Sequence, residues 1–276
     1  MTRLDQALVD RGLCESRERA KRAILAGQIR VNAQRAHKPS DAVKPDDALA
    51  LETGEKYVSR GGHKLEHALR HFQLDVAGLV ALDLGASTGG FTDCLLQHGA
   101  AKVFAVDVGQ GQLAWKLRQD RRVMVMEKTN ARFLTPEKLF SAENGGARHS
   151  PALRDAAKRG KIAERHAPSN ASRFVDLATI DCSFISLRKI LPAAIALLKA
   201  NGKIVALIKP QFEAGKAEAD KGRGVISDPA VHERVLKELR VFVVAQAGLN
   251  WRGLVESPLL GPAGNKEFLV LIEKRS

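Results

Sequence analysis

Long apolar runs are missing from this chain of 276 residues. No stretch approaches the roughly eighteen apolar residues that a membrane-spanning helix needs, and no alternating pattern suggests a membrane barrel. The polar start, MTRLDQALVDR, lacks the apolar centre of a signal peptide. Cysteine is scarce. Cys14, Cys94 and Cys182 lie far apart without a C-x-x-C pair, which argues against a disulfide framework or a zinc site and fits a reducing compartment. The expectation is a cytoplasmic protein with no membrane segment and no bound metal. Charge balance is lacking too: 44 Lys+Arg stand against 31 Asp+Glu, a net +13. A field of that sign favours a polyanion partner, most simply nucleic acid.

The segment Leu79 to Phe91 reads LVALDLGASTGGF and runs on into FTDCLLQHGA. An apolar strand, a glycine turn and a helix open a βαβ unit, in which bare backbone can approach a cofactor. A second strand-like run, Lys102 to Val106, ends in Asp107, about twenty residues on, where an acidic side chain would meet ribose hydroxyls. The dinucleotide spacing G-x-G-x-x-G is absent, because Gly85 is followed by Ser87, Gly89 and Gly90. A cofactor without a pyrophosphate, such as S-adenosylmethionine, needs the close backbone approach but no phosphate cradle. The candidate cofactor residues are Asp83, Gly85, Ser87, Thr88, Gly89, Gly90, Phe91, Asp107 and Asn130. An empty structural glycine turn is the alternative reading.

Residues 3 to 52 read as a unit of their own. Leu4, Ala7 and Leu8 recur at helical spacing before Gly12, and Ser16 caps a second helix that runs to Gly27. Short strand signals, IRVN and ALALE, follow. Residues 1 to 38 carry nine Lys and Arg against four acidic residues, a density that favours phosphate contact over a merely solvated face. The expected domains are 1–55, a polar joint at 56–63, and 64–276. Within the last, residues 141–173 break the pattern and read as a mobile basic insertion. Strands and helices otherwise alternate to the end, which predicts a doubly wound α/β sheet with ligands at the carboxyl ends of its strands. Asp107, Asp181 and Lys209 all fall at such ends.

The N-terminal segment, with RLD near its start, SRERAK in the second helix and GQIRVN before KPS, resembles the small RNA-binding domain named after ribosomal protein S4. In that family the second helix and the following loop dock on structured RNA. The resemblance implies RNA contact by Arg3, Arg17, Arg19, Lys21 and Arg22.

Methyl transfer to a ribose hydroxyl asks for a base to take the proton, and a lysine, with an ordinary pKa near ~10.4, must be neutral to do so. A Lys-Asp-Lys-Glu constellation suits that demand. SRGGHKL at Lys64, TIDCSFISL at Asp181, ALIKPQFE at Lys209 and GPAGNKEFLVLIEK at Glu267 resemble the ribose methyltransferases of the FtsJ type. Joined to the N-terminal module they are similar to the TlyA family, whose members carry the names hemolysin A and ribosomal RNA 2′-O-methyltransferase. The resemblance implies a Rossmann-like class I methyltransferase with a mostly parallel seven-stranded sheet, S-adenosylmethionine as cofactor and ribosomal RNA, at cytidine, as substrate. It implies the tetrad Lys64, Asp181, Lys209 and Glu267, with Lys209 as base and Glu256 as a competitor for the glutamate. Three rivals stand beside it. A nucleobase N-methyltransferase would use Asp181-Cys182-Ser183-Phe184 as a clamp, but that motif usually carries prolines, and Lys64 and Lys209 would be idle. A non-enzymatic RNA-binding protein conflicts with the intact tetrad, and a pore-forming hemolysin with the absent apolar spans.

Overall fold

The runs VALDL, KVFAV, VMVM and VDLATI are apolar on both faces, as parallel strands covered by helices must be. In the computed structural model they form one side of a single sheet. The structure describes residues 1–25, 27–51, 56–145, 174–215, 218, 220, 222–246 and 248–275. They fall into two compact units, Met1–Lys56 and Tyr57–Ser276.

In the first unit, β1 (Thr2–Arg3) leads into α1 (Leu4–Asp10) and α2 (Arg17–Leu25). The Ser16 hydroxyl takes the Arg19 N–H at 3.3 Å, the capping role that its place in the sequence predicts. The strands β2 (Ile29–Val31), β3 (Gln34–Arg35), β4 (Ala42–Val43) and β5 (Leu49–Leu51) complete it. Leu4, Leu8, Ala20, Ile24 and Ile29 close its small core.

The second unit begins with α3 (Gly61–His71), β6 (Val80–Leu84), α4 (Gly90–Gln97), β7 (Lys102–Val106), α5 (Trp115–Gln119) and β8 (Val123–Met126). It continues with α6 (Pro136–Gly145), β9 (Val175–Ile180), α7 (Leu191–Leu197) and β10 (Leu198–Ile208). The short α8 (Pro210–Glu213), α9 (Pro229–Ala245), β11 (Leu249–Glu256) and β12 (Phe268–Lys274) close the chain. The strand order is β11-β12-β10-β9-β6-β7-β8, with β12 antiparallel to both neighbours and the other pairs parallel. From β6 the chain winds outward through β7 and β8, then returns to β9 on the other side. That reversal opens a crevice beyond the carboxyl ends of β6 and β9, where ligands of such sheets bind.

Two expectations change. The joint at 56–63 is largely part of the second unit. The Tyr57 ring is buried and lies so close on Gly62 that a Cβ there would come within 2.2 Å of it, and α3 already begins at Gly61. Polar, glycine-bearing sequence marked a linker, but here the glycines admit a ring and a helix start. Of the stretch 141–173, residues up to Gly145 belong to α6, and 146–173 lie outside the described residues. Among the described residues no helix is long and apolar enough to cross a membrane.

Candidate active site

Beyond β6 the chain turns at Gly85, whose φ is +85°. A Cβ there would come within 2.6 Å of the Asp181 carbonyl oxygen, so the close approach of the two strand ends requires glycine. The turn and the ends of β7 and β9 enclose a cavity of about 400 Å³, ample for a nucleoside-sized ligand. Asp107 forms one wall. Its Oδ2 accepts the Ser87 N–H at 2.8 Å and its Oδ1 the Gly109 N–H at 2.7 Å. Each carboxylate oxygen keeps lone-pair capacity, so the side chain is rigidly aimed and still able to accept from a ribose diol. Val108, Ala131, Ile185 and Ile190 give an apolar slot, with Thr129, Asn130 and Gln112 as polar edges. A diol acceptor beside an apolar slot, with bare backbone at Gly85, fits the adenosine and methionine moieties of S-adenosylmethionine.

Not every predicted cofactor residue is there. Gly85, Ser87, Asp107 and Asn130 line the cavity, whereas Asp83, Thr88, Gly89, Gly90 and Phe91 are not among its lining residues. Asp83 is wholly buried and accepts the Thr92 hydroxyl at 2.7 Å and the Thr179 hydroxyl at 3.0 Å, tying β6 to α4 and β9. Burial pushes its carboxyl up to about 6, against the opposing effect of those two bonds. At Gly90 a Cβ would meet the Ser59 hydroxyl at 2.3 Å and the Gly62 nitrogen at 2.9 Å. At Gly89, with φ +97°, it would meet the Leu117 side chain at 2.2 Å. These glycines let neighbouring segments pack, which is a different use of a missing side chain. Thr129, Gln112 and the loop Cys182–Ile185 are lining residues that spacing alone did not reveal, although the DCSF motif pointed to the loop.

The same loop leads to the titratable groups. Asp181 follows β9 and lines the cavity. Lys209, which follows β10, places Nζ 2.6 Å from Asp181 Oδ1 and donates to Ser183 Oγ at 2.9 Å. Asp181 Oδ1 receives no well-directed hydrogen bond from the described residues, so its contact with the lysine is an ion pair, and the directed bond goes to the serine. Lys64, on the first turns of α3, is bonded to Glu267 Oε2, and both side chains are buried. Among the described residues, Glu267 Oε1 is buried without a hydrogen-bond partner beneath Gly261, where a Cβ would approach it to 2.6 Å. The competitor Glu256 is half-exposed and pairs with Lys266 at 3.3 Å instead. Sheet register relates the two ion pairs. Ile208 is opposite Phe268 in β10 and β12, so Lys209 and Glu267 are the next residues out at one edge of the sheet. Cys182 shares the loop, but burial pushes its thiol up to about 12 and leaves it a poor nucleophile. Phe184 is 91% exposed, has a φ of +64° and rests on Phe212 with ring centroids 5.3 Å apart.

In the first unit, the Asp5 carboxylate is fully buried and accepts from Arg3 Nε at 3.0 Å and Arg17 at 3.1 Å. The Arg3 bond, reinforced by Arg17, holds that carboxyl down at about 2. Arg3 and Arg17 are thus fixed in direction yet half-exposed, while Arg19, Lys21 and Arg22 are exposed along α2. Among the described residues no group of His, Cys, Asp and Glu could hold a metal ion.

Sheet order, the Gly85 turn and the aimed Asp107 define a methyltransferase that uses S-adenosylmethionine. The chain belongs to the FtsJ-like methyltransferase family, whose model matches residues 57–274, and an S4 domain matches residues 2–49. A Bacillus subtilis protein named YqxC, described as a candidate rRNA methyltransferase, is 45% identical over 97% of this chain and 84% of its own. The Mycobacterium tuberculosis protein named 16S/23S rRNA (cytidine-2'-O)-methyltransferase TlyA is 42% identical over 99% of this chain and 90% of its own. A solved structure described as a candidate hemolysin from Streptococcus thermophilus is 41% identical, with a TM-score of 0.67, over 100% of this chain and 89% of that one.

Proposed function

We propose that this protein methylates the ribose 2′-hydroxyl of ribosomal RNA, at cytidine, with Lys209 as the base. The observation that carries the reading is the placement of two lysine–carboxylate pairs at neighbouring strand ends, one of them through an aspartate that also lines the cofactor cavity. S-adenosylmethionine supplies an electrophilic methyl group. The remaining work is positioning and proton transfer. In its neutral form Lys209 Nζ takes the proton of the attacking hydroxyl and becomes the ammonium that pairs with Asp181. Asp181 and Ser183 fix that amine at the cavity edge. Lys64, held by Glu267, offers its remaining N–H donors to the ribose oxygen, on which negative charge develops. Exposed Phe184 on Phe212 provides an aromatic face on which the target base can stack. The N-terminal unit, with Arg3, Arg17, Arg19, Lys21 and Arg22, supplies RNA contact. Support for ribosomal RNA and for cytidine comes from the activity for which the Mycobacterium tuberculosis relative is named.

Nucleoside mass spectrometry of ribosomal RNA treated with the protein and S-adenosylmethionine tests the reading. The expected product is 2′-O-methylcytidine. A methyl group on a base, with none on ribose, would favour the clamp reading of Asp181 to Phe184 and overturn this one.

A further inference from the structure

Phe184 and Ser183 belong to an irregular stretch that leads from Asp181 to a short 3-10 turn, Leu187–Lys189, capped by Ser186, and Phe184 sits in the left-handed region at φ +64°. A bulky side chain persists there only where the surroundings fix the backbone. Two residues do so from a single turn of chain. Phe212 supports the Phe184 ring, and Glu213, next to it, ends α8 with its carboxylate against the far end of the loop. Glu213 Oε2 accepts the Ser186 hydroxyl at 2.7 Å, and Oε1 accepts the Leu187 N–H at 2.6 Å. α8 starts directly after Lys209. The carboxylate therefore bridges the segment carrying the lysine and the segment carrying Asp181, Ser183 and Phe184. Burial pushes the Glu213 carboxyl up, so this carboxylate is kept at a cost that its bonds to the loop offset only in part.

Resting on the ribose-methylation reading, we infer that Glu213 is a positioning residue of the methyl-transfer site, holding the Asp181–Leu187 loop against the turn after Lys209. Without it the loop relaxes out of the left-handed conformation. The Ser183 hydroxyl then leaves Lys209 Nζ, and the aromatic face shifts relative to the amine. Small misplacements of this kind reduce turnover far more than they reduce cofactor binding.

The test is single-turnover methylation of ribosomal RNA, with calorimetric S-adenosylmethionine binding and thermal melting measured on the same full-length variants. Glu213→Ala is expected to slow methyl transfer by about tenfold to hundredfold while cofactor affinity stays within about threefold. Glu213→Gln should recover most of the rate, because its amide can accept the Leu187 N–H and donate to the Ser186 hydroxyl. Ser186→Ala should cost less than Glu213→Ala, and the double variant should be no slower than Glu213→Ala alone. If Glu213→Ala melts below the assay temperature, Ser186→Ala carries the test, with a several-fold loss expected and a wild-type rate overturning the inference. A wild-type rate in Glu213→Ala overturns it as well. So does a rate loss matched by lost cofactor affinity, or a glutamine variant as slow as alanine. Failure of the wild-type protein itself to methylate ribose in this assay would instead sink the parent reading, and the inference with it.

Discussion

Replacing Asp83 by asparagine should make this protein more stable at neutral pH and change nothing near pH 4. Asp83 is wholly buried in β6, and its carboxyl is pushed up to about 6, chiefly by burial. An unfolded aspartate titrates near ~3.9. The folded value is the higher one, so the native state holds the proton more tightly between those limits. Its contribution to stability is fully present below about pH 4 and is lost as pH rises through about 6. A shift of about two units, at about 1.4 kcal/mol each, makes that loss roughly 3 kcal/mol. Asparagine has nearly the same shape and carries no charge at any pH. It can accept one threonine hydroxyl, and Thr179 has the Leu82 carbonyl, 3.4 Å away, as an alternative acceptor. Thermal melts of both proteins from pH 4 to pH 8 should therefore diverge by roughly 6–12 °C at the upper end, given about 2–4 °C per kcal/mol for a unit of this size. Cofactor affinity, measured by calorimetry, should stay close to wild type because Asp83 does not line the cavity. Melting curves that run parallel across this range would refute the argument that Asp83 is a buried charge under strain.

Lys209→Arg keeps the positive charge but cannot accept a proton, so single-turnover methylation should fall by about 10²–10⁴-fold with cofactor binding retained. A near-wild-type rate would exclude Lys209 as the base. Glu267→Ala leaves the buried Lys64 ammonium without its partner and should lower stability by roughly 3–5 kcal/mol and abolish methylation, whereas Glu256→Ala should be close to neutral on both counts. Equal effects in denaturant melts would undo the assignment of Glu267 as the partner of Lys64. Arg19→Ala and Arg22→Ala should each weaken RNA binding and flatten the slope of log K against log salt by about one. An unchanged slope in filter-binding titrations would remove those side chains from the phosphate contacts.

The alternation of strands and helices was legible because parallel strands covered on both faces cannot hide. Val80–Leu84, Lys102–Val106 and Val175–Ile180 are almost continuous apolar runs; the first ends at the Gly85 turn and the other two at Asp107 and Asp181. Edges were less visible. β10 begins at Leu198, through a stretch reading LKANG that looks like a helix end and a turn. That first stretch is tied to the sheet by the pairing of Leu198 with Val175, across a register shift before the regular ladder starts at Lys203. Such pairing is a property of the neighbouring strand, and local sequence does not record it.

The site shows the same division between what spacing carries and what only packing decides. A glycine in a sequence says that a side chain is excluded, not what excludes it. Gly85 faces the Asp181 backbone beside the cavity, Gly89 faces Leu117, and Gly90 faces Ser59 and the Gly62 nitrogen, although all three come from one cluster. Asp83 stood among the candidate cofactor residues as an acid within an apolar strand. In the fold its carboxylate is taken up by Thr92 in the first turn of the next helix and by Thr179 on a neighbouring strand, 96 positions away in sequence. The choice between Glu256 and Glu267 was open for the same cause. Both flank the hairpin between β11 and β12, and only the buried side of that hairpin reaches Lys64. Sequence therefore offers the candidate groups for a methyl transfer. Which of two identical carboxylates meets the lysine is set by the fold, through contacts between residues that lie some two hundred positions apart.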